Sequence, residues 1–132
     1  TGADLLGGTG YATGVTDAFS LWPVGNGYVV SNASRIARLV VSGGSVTGTY
    51  TYTPPLTLSP VLVSVAAGFV YVAASDKKLH KLALSTLADT GVSRTVNPTG
   101  TSPTLAAPSM DVADNLFLFG SSDGRLWAVP VF

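Results

Sequence analysis

The second half of the chain repeats itself. The stretch from Leu58 to Leu82 aligns, after a shift of 47 residues, with the stretch from Leu105 to Val129. In both copies four bulky apolar residues, 69–72 and 116–119, are followed closely by a Ser-Asp pair at 75–76 and 122–123. A fainter copy lies 41 residues upstream, where Gly27 aligns with Gly68. The chain therefore contains three related units, and any fold proposed for it must be built three times over.

Each unit has the pattern of short antiparallel strands. Runs rich in Val, Tyr, Phe and Leu are separated by clusters of Gly, Asp, Ser and Pro, which favour turns. In the first unit, residues 49–53 alternate strictly between Thr and Tyr before Pro54 and Pro55. In the second unit we predict strands at residues 61–65, 69–74, 79–84 and 92–96, with turns at 66–68, 75–78 and 89–91.

The composition agrees with strands and excludes several classes of function. The chain has no Glu, Gln or Cys, so surface helices, disulfides and thiolate sites are not expected. Its 7 basic and 7 acidic residues cancel, which gives no electrostatic basis for binding nucleic acid. The longest apolar stretch, residues 61–74, is too short for a membrane-spanning helix. The low charge and the many Thr, Ser and Gly residues are typical of secreted or cell-surface proteins.

Units of 41 to 47 residues with four strands each predict an all-β, β-propeller-type domain. We expect a leading strand within residues 1–16, around Tyr11 to Val15. Blades follow at residues 17–54, 55–101 and 102–132, the last without its outer strand. Propellers close with about four to eight blades, so three blades leave two open ends. Either a second copy closes the ring, each leading strand completing the partner's third blade, or the missing blades lie on another polypeptide; an open sandwich is the remaining alternative.

The motifs resemble the PQQ-like β-propeller repeat family. The similarity rests on Ser59-Pro60, Gly68-Phe69-Val70-Tyr71-Val72, Ser75-Asp76, Leu79-His80-Lys81-Leu82 and Gly91 in the second unit. In the third it rests on Ser102-Pro103 and on Ser122-Asp123-Gly124 with Leu126-Trp127-Ala128-Val129. The resemblance covers about residues 17–132. It implies blade architecture, in a family whose members include dehydrogenases, assembly scaffolds and adhesins.

The enzymatic branch of that family uses calcium, acidic ligands including Glu, a stacking Trp and often a vicinal cysteine pair. Because this chain has neither Glu nor Cys, no such site can be transferred to it. The resemblance therefore implies the non-enzymatic branch, without catalytic residues, cofactor or metal. We expect a structural or interaction module for protein binding, adhesion or assembly.

A few residues are candidates for contact with a partner or ligand. Asp76 and Asp123 lie in equivalent hairpin turns, residues 75–78 and 121–125, which we expect to face a partner. Trp22 and Trp127 could stack on sugar rings, so the alternative function is a lectin that assembles a propeller from short chains. A fragment of a quinoprotein-like enzyme is the third hypothesis.

Other polar residues are expected to have structural roles. His80 is the only histidine, and we predict that it packs between blades. Asp111, Asp114 and Asn115 could be considered as calcium ligands, but turn capping is the expected role. Asn32 begins an Asn-Ala-Ser triplet and is a candidate acceptor for N-glycosylation.

Overall fold

The computed structural model describes residues 12–99 and 104–132, and within these ranges the chain forms three separate antiparallel sheets. In each sheet the strands follow one another in chain order, as in a meander. Sheet 1 contains β1 (Ser20–Val24), β2 (Gly27–Ser31), β3 (Ile36–Ser42) and β4 (Ser45–Tyr52). Sheet 2 contains β5 (Leu62–Ser64), β6 (Phe69–Ala74), β7 (Lys78–Ala83) and β8 (Asp89–Thr95). Sheet 3 contains β9 (Ser109–Asp111), β10 (Leu116–Gly120) and β11 (Leu126–Pro130).

The middle sheet is buried on both of its faces. Side chains of a strand point alternately to opposite sides of the sheet. In β6, Val70 and Val72 join the core shared with sheet 1, whereas Tyr71 and Ala73 join the core shared with sheet 3. All four are at most 2% exposed. The three sheets therefore stack face to face, with two apolar cores between them.

The predicted repeat is visible in the backbone. Lys77 and Gly124, which are 47 residues apart, both have positive φ angles, 67° and 81°. Their N–H groups donate to the carbonyls of Ala74 and Ser121, each at 3.0 Å. Glycine adopts this conformation without the steric penalty that a Cβ brings. The hairpin turn is thus the same in both units, although only the third unit has glycine there.

Two boundaries differ from the sequence prediction. The segment 89–91, expected as a turn, belongs to β8, and a register irregularity opposite residues 80–82 accommodates it. The chain instead reverses at residues 84–88, where the N–H of Leu87 donates to the Ala83 carbonyl at 2.7 Å. The polar Asp-Thr-Gly cluster favours a turn locally, but strand pairing with β7 prevails over that preference.

The predicted leading strand is not found in residues 12–16. There Gly14 has a φ of 69°, and the Thr13 hydroxyl oxygen accepts a hydrogen bond at 3.0 Å from the N–H of Val15. This local turn bends the chain instead of extending it. Tyr11 and the rest of that prediction lie outside the described residues, as do Ser102 and Pro103.

Candidate binding surface at the turn end

The link between β4 and β5 holds the hairpin turns of sheets 1 and 2 together. The N–H of Leu58 donates to the carbonyl of Ala33, in the turn between β2 and β3. The neighbouring Thr57 carbonyl accepts from the N–H of Ser75, in the turn between β6 and β7, and the Ser75 hydroxyl accepts from the N–H of Thr57. Turns that belong to different sheets are therefore fixed relative to each other through one link.

The same arrangement recurs in sheet 3. The Thr104 carbonyl accepts from the N–H of Ser122 at 2.9 Å, and the Ser122 hydroxyl accepts from the N–H of Thr104 at 3.1 Å. These distances equal those of the Thr57 and Ser75 pair. In sheet 1 the Thr16 carbonyl accepts from the side-chain amide of Asn32 at 2.6 Å. A threonine carbonyl thus receives a hydrogen bond from the β-turn of its own sheet in all three units.

The link after β8 joins the turns of sheets 2 and 3. The N–H of Val96 donates to the Lys77 carbonyl, and the Lys77 ammonium donates to the Pro98 carbonyl at 3.3 Å. Thr99 then donates to the Asp123 carboxylate from its N–H at 2.8 Å and from its hydroxyl at 3.0 Å. We call this surface the turn end: the turns at residues 32–35, 75–77 and 121–125, with the links at 57–59 and 96–99.

Asp123, predicted to contact a partner, is occupied by its own chain. Its carboxylate accepts hydrogen bonds from the Ser121 hydroxyl and from Thr99. These bonds, the Ser121 bond foremost, lower the pKa of Asp123 to about 2. The indole N–H of Trp127 donates to the Ser121 hydroxyl oxygen at 2.9 Å, so the same cluster also engages the predicted stacking residue. The cluster stabilises the turn and leaves the exposed Arg125 side chain at its rim.

Asp76, the equivalent residue in sheet 2, also binds a ring from its own strand pair. Its carboxylate oxygen lies 3.0 Å from Nε2 of His80 and accepts from the N–H of Lys78 at 3.2 Å. On the other side of the imidazole, Nδ1 lies 3.4 Å from the carboxylate of Asp89. His80 and Trp127 are 47 residues apart, so both units use a ring on the third strand to hold the preceding turn.

The histidine cluster also joins sheet 1 to sheet 2. His80 lies opposite Val72 on the face of sheet 2 that packs against sheet 1, as the predicted packing role requires. The Tyr52 hydroxyl, at the end of β4, donates to the Asp89 carboxylate at 3.4 Å. Sequence spacing did not reveal Asp89 as part of this cluster, because the hairpin between β7 and β8 brings it there.

We expect Tyr52 to make stability dependent on pH in the alkaline range. Burial, followed by the nearby Asp89 carboxylate, raises the pKa of Tyr52 to about 12 from the usual 10. The tyrosine of the unfolded chain therefore ionises first, and its contribution to stability is complete below pH 10 and is lost as the pH rises towards 12. Urea unfolding at pH 8 and pH 11 should show a smaller loss of stability in Tyr52→Phe than in the parent protein.

Tyr28→Phe is the matched control for this measurement, because Tyr28 is 41% exposed. It should retain the alkaline loss of stability seen in the parent protein. An unchanged loss in Tyr52→Phe would contradict the role given to the Tyr52 hydroxyl.

The aromatic candidates for sugar stacking pack against the cores. Trp22 is partly buried against the core between sheets 1 and 2, and Trp127 against the core between sheets 2 and 3. Tyr52 likewise contacts the first core, whereas Tyr28 and Tyr50 are each 41% exposed. The structure does not bring Trp22 and Trp127 together on one exposed platform.

Asn32 and Asp111 both cap turns. The Asn32 side-chain oxygen accepts from the N–H groups of Ser34 and Arg35, and its amide nitrogen donates to Thr16, while the residue is 9% exposed. Glycosylation of Asn32, which stays a prediction, would require these contacts to break. The Asp111 carboxylate accepts from the N–H groups of residues 113 and 114. Over the part of the chain that the structure describes, no three His or Asp side chains form a metal-binding group.

Shallow depressions flank the turn end on its two outer sides. One of about 310 Å³ is lined by Thr16, Asp17, Phe19 and residues 32–34 of sheet 1. Another of about 260 Å³ is lined by Thr104, Ala106 and residues 120–122 of sheet 3. A third, of about 330 Å³, lies at the opposite end of sheet 1, around Gly25 and Asn26. Thr16 and Thr104 are equivalent in the repeat, so the first two depressions occupy corresponding places.

Comparison with solved structures shows a β-propeller-type fold. The chain is similar to the computationally designed Ika4 protein, with a TM-score of 0.58, 15% identity, and coverage of 87% of this chain and 66% of that one. It is also similar to the β-propeller BamB from Moraxella catarrhalis, with a TM-score of 0.56, 20% identity, and coverage of 83% and 32%. The chain thus spans about two thirds of the first protein and one third of the second.

Sequence comparison adds no family. No protein-family model matches the chain, and no curated protein matches it either. In the described ranges, 12–99 and 104–132, there is no helix of the length and apolarity needed to cross a membrane.

Proposed function

We propose that the protein is a non-enzymatic, β-propeller-type binding module that presents its turn end to a protein partner outside the cell. The observation that carries the proposal is the chain of hydrogen bonds that runs from turn to link to turn across all three sheets. A surface held in this way loses little conformational freedom on binding, which favours affinity. The low charge of the chain and its resemblance to PQQ-like repeats support secretion or display at the cell surface and a role in adhesion or assembly.

Exposed side chains at the turn end supply the contacts. Ala33, Ser34, Ser122 and Arg125 are exposed there, while the buried carboxylate cluster of Asp123 fixes the backbone beneath them. Loops held on a rigid sheet scaffold commonly carry binding function. Asp76 and Asp123 therefore contribute by positioning the turns, and the exposed neighbours make contact with the partner.

The lectin alternative predicts a different set of residues. It requires an open aromatic face, and the exposed fractions of Tyr28 and Tyr50 meet this condition better than the partly buried Trp22 and Trp127 do. The third hypothesis, a fragment of a quinoprotein-like enzyme, would require bound calcium or quinone in the purified protein.

Binding selections distinguish these functions. The protein is used to select peptides from a random phage-displayed library and is tested in parallel on a glycan array. We expect selected peptides whose affinity falls at least tenfold in Arg125→Glu or Ala33→Arg, both at the turn end. Val112→Glu, in the turn between β9 and β10 at the opposite end and 81% exposed, should leave the affinity unchanged. Peptides insensitive to both turn-end variants, or glycan binding lost in Tyr28→Ala or Tyr50→Ala, would overturn the proposal.

A further inference from the structure

Sheet 1 has an apolar outer face, on the side away from sheet 2. Strand register places Leu21, Pro23, Tyr28, Val30 and Leu39 together on this face. Leu21 is 66% and Tyr28 41% exposed, beside the buried Val30 and Leu39. No charged residue of strands β1 to β4 lies on this face, since Arg38 pairs with Val29 on the opposite one. Large exposed apolar side chains side by side mark an interaction site.

Sheet 3 has an apolar outer face at the other end of the stack. Leu116, Leu118, Leu126, Ala128 and Pro130 share the side opposite to Phe117 and Phe119, which face sheet 2. Leu126 is 74% exposed, and Ala128 and Pro130 are exposed as well. Asp111, at the margin opposite Leu116, is the charged residue of the described strands on this face.

Strand β11 also lacks a fourth-strand partner among the described residues. In the other two sheets the third strand pairs with a fourth, β3 with β4 and β7 with β8. In sheet 3, β11 pairs with β10 on one side only. Free strand edges are templates for pairing with another chain. The outer face and the free edge of sheet 3 therefore expose the same kind of surface to the same neighbour.

The chain enters sheet 1 as though another sheet preceded it. Thr16 lies just before β1, where Thr57 and Thr104 lie before β5 and β9, and its carbonyl accepts an equivalent hydrogen bond. Thr57 and Thr104 each follow the fourth strand of the preceding sheet. By the same spacing, the position before sheet 1 fits a sheet like sheet 3, whose fourth-strand position is free.

We propose that a second copy of this chain covers both outer faces, so that two copies form a closed ring of six sheets. Sheet 3 of each copy packs against sheet 1 of the other, and the two contacts are related by a two-fold axis. Each contact continues the stacking already present between sheets 1 and 2 and between sheets 2 and 3. Six sheets fall within the range in which propellers close. The ring rests on the proposed function, because it fixes two turn ends side by side on one rigid body.

The uncharged character of both faces favours a second copy over a different protein. Neither face carries a charge pattern that a foreign partner would have to match, and the net charge of zero brings no repulsion between copies. The outer faces of sheets 1 and 3 are the only members of the stacking series left without a neighbour in the described chain. A second copy supplies both missing neighbours at once.

Two lysine substitutions test the ring. Leu21→Lys alters the outer face of sheet 1, and Leu126→Lys that of sheet 3. Both side chains are largely exposed within one chain, so each variant should fold. The parent protein should have about twice the monomer mass of 13.4 kDa by light scattering, and each variant should weaken the dimer at least tenfold. Val112→Lys, at an 81% exposed site off both faces, should remain dimeric.

Mixing the two variants identifies which faces meet. In the ring, a mixed dimer joins both altered faces at one contact and restores the parental contact at the other. The mixture should therefore form dimers at a concentration where each variant alone is monomeric. A monomeric parent protein, a variant as dimeric as the parent, or a mixture that stays monomeric would overturn the ring. Turn-end peptides that still bind the monomeric variants would leave the proposed function intact, whereas their loss in Arg125→Glu concerns that function alone.

Discussion

Replacing Phe117 by alanine is expected to lower the free energy of unfolding by about 3–5 kcal/mol. Phe117 is fully buried at the centre of the core between sheets 2 and 3. Its ring centroid lies 4.4 Å from that of Tyr71 and 5.8 Å from that of Phe132. Truncation removes these aromatic contacts and leaves a cavity that the flanking strands cannot fill. Urea unfolding followed by tryptophan fluorescence measures the change.

Two further variants keep this prediction testable if the alanine variant fails to fold. Phe117→Leu retains most of the volume and should cost about 1–2 kcal/mol. Val112→Ala, at a site that is 81% exposed, should change stability by less than about 0.5 kcal/mol. Equal stability of Phe117→Ala and Val112→Ala would mean that sheets 2 and 3 do not pack through this core.

Replacing Gly27 by asparagine is expected to destabilise the protein by about 3 kcal/mol or more. A Cβ added at Gly27 would overlap the backbone carbonyl oxygen of Leu39, in the adjacent strand β3. It would also lie 2.7 Å from the guanidinium of the buried Arg38, so neither neighbour can move freely. Relieving the overlap requires β2 and β3 to separate where they pair.

The repeat offers a matched control for this substitution. Gly68 holds the equivalent position in the second unit, and nothing lies within 4 Å of an added Cβ there. In the third unit the same position is Asn115, with a φ of 55°, which shows that asparagine adopts the turn. Gly68→Asn should therefore cost less than about 1 kcal/mol in thermal unfolding. A similar loss in both variants would attribute the effect to the turn and not to contact with Leu39.

The sequence predicted the fold well because the repeat repeats a physical pattern. Strand β6 was predicted at its observed limits, 69–74, since alternate residues feed two cores and all are apolar or small. The turn residue Asp76 was also predicted to accept a hydrogen bond from the N–H two residues on, as it does from Lys78. These features depend on neighbours along the chain, which the sequence contains directly.

The predictions that failed depend on pairing between distant segments. The start of β8 at Asp89 is set by its partner strand β7, and no local signal distinguishes it from a turn. Thr99 and Ser121 were not recognised as partners of Asp123, because 24 residues separate Thr99 from it. The 47-residue shift carried a usable signal for part of this network, since it relates Thr57 with Ser75 to Thr104 with Ser122.

The mass of the unmodified protein in solution tests the central claim most directly, namely that three stacked sheets with two open faces are completed by a second copy. Light scattering across a dilution series should give about twice 13.4 kDa at high concentration and a cooperative fall to the monomer mass on dilution. A folded protein that stays at 13.4 kDa at every concentration would contradict the claim.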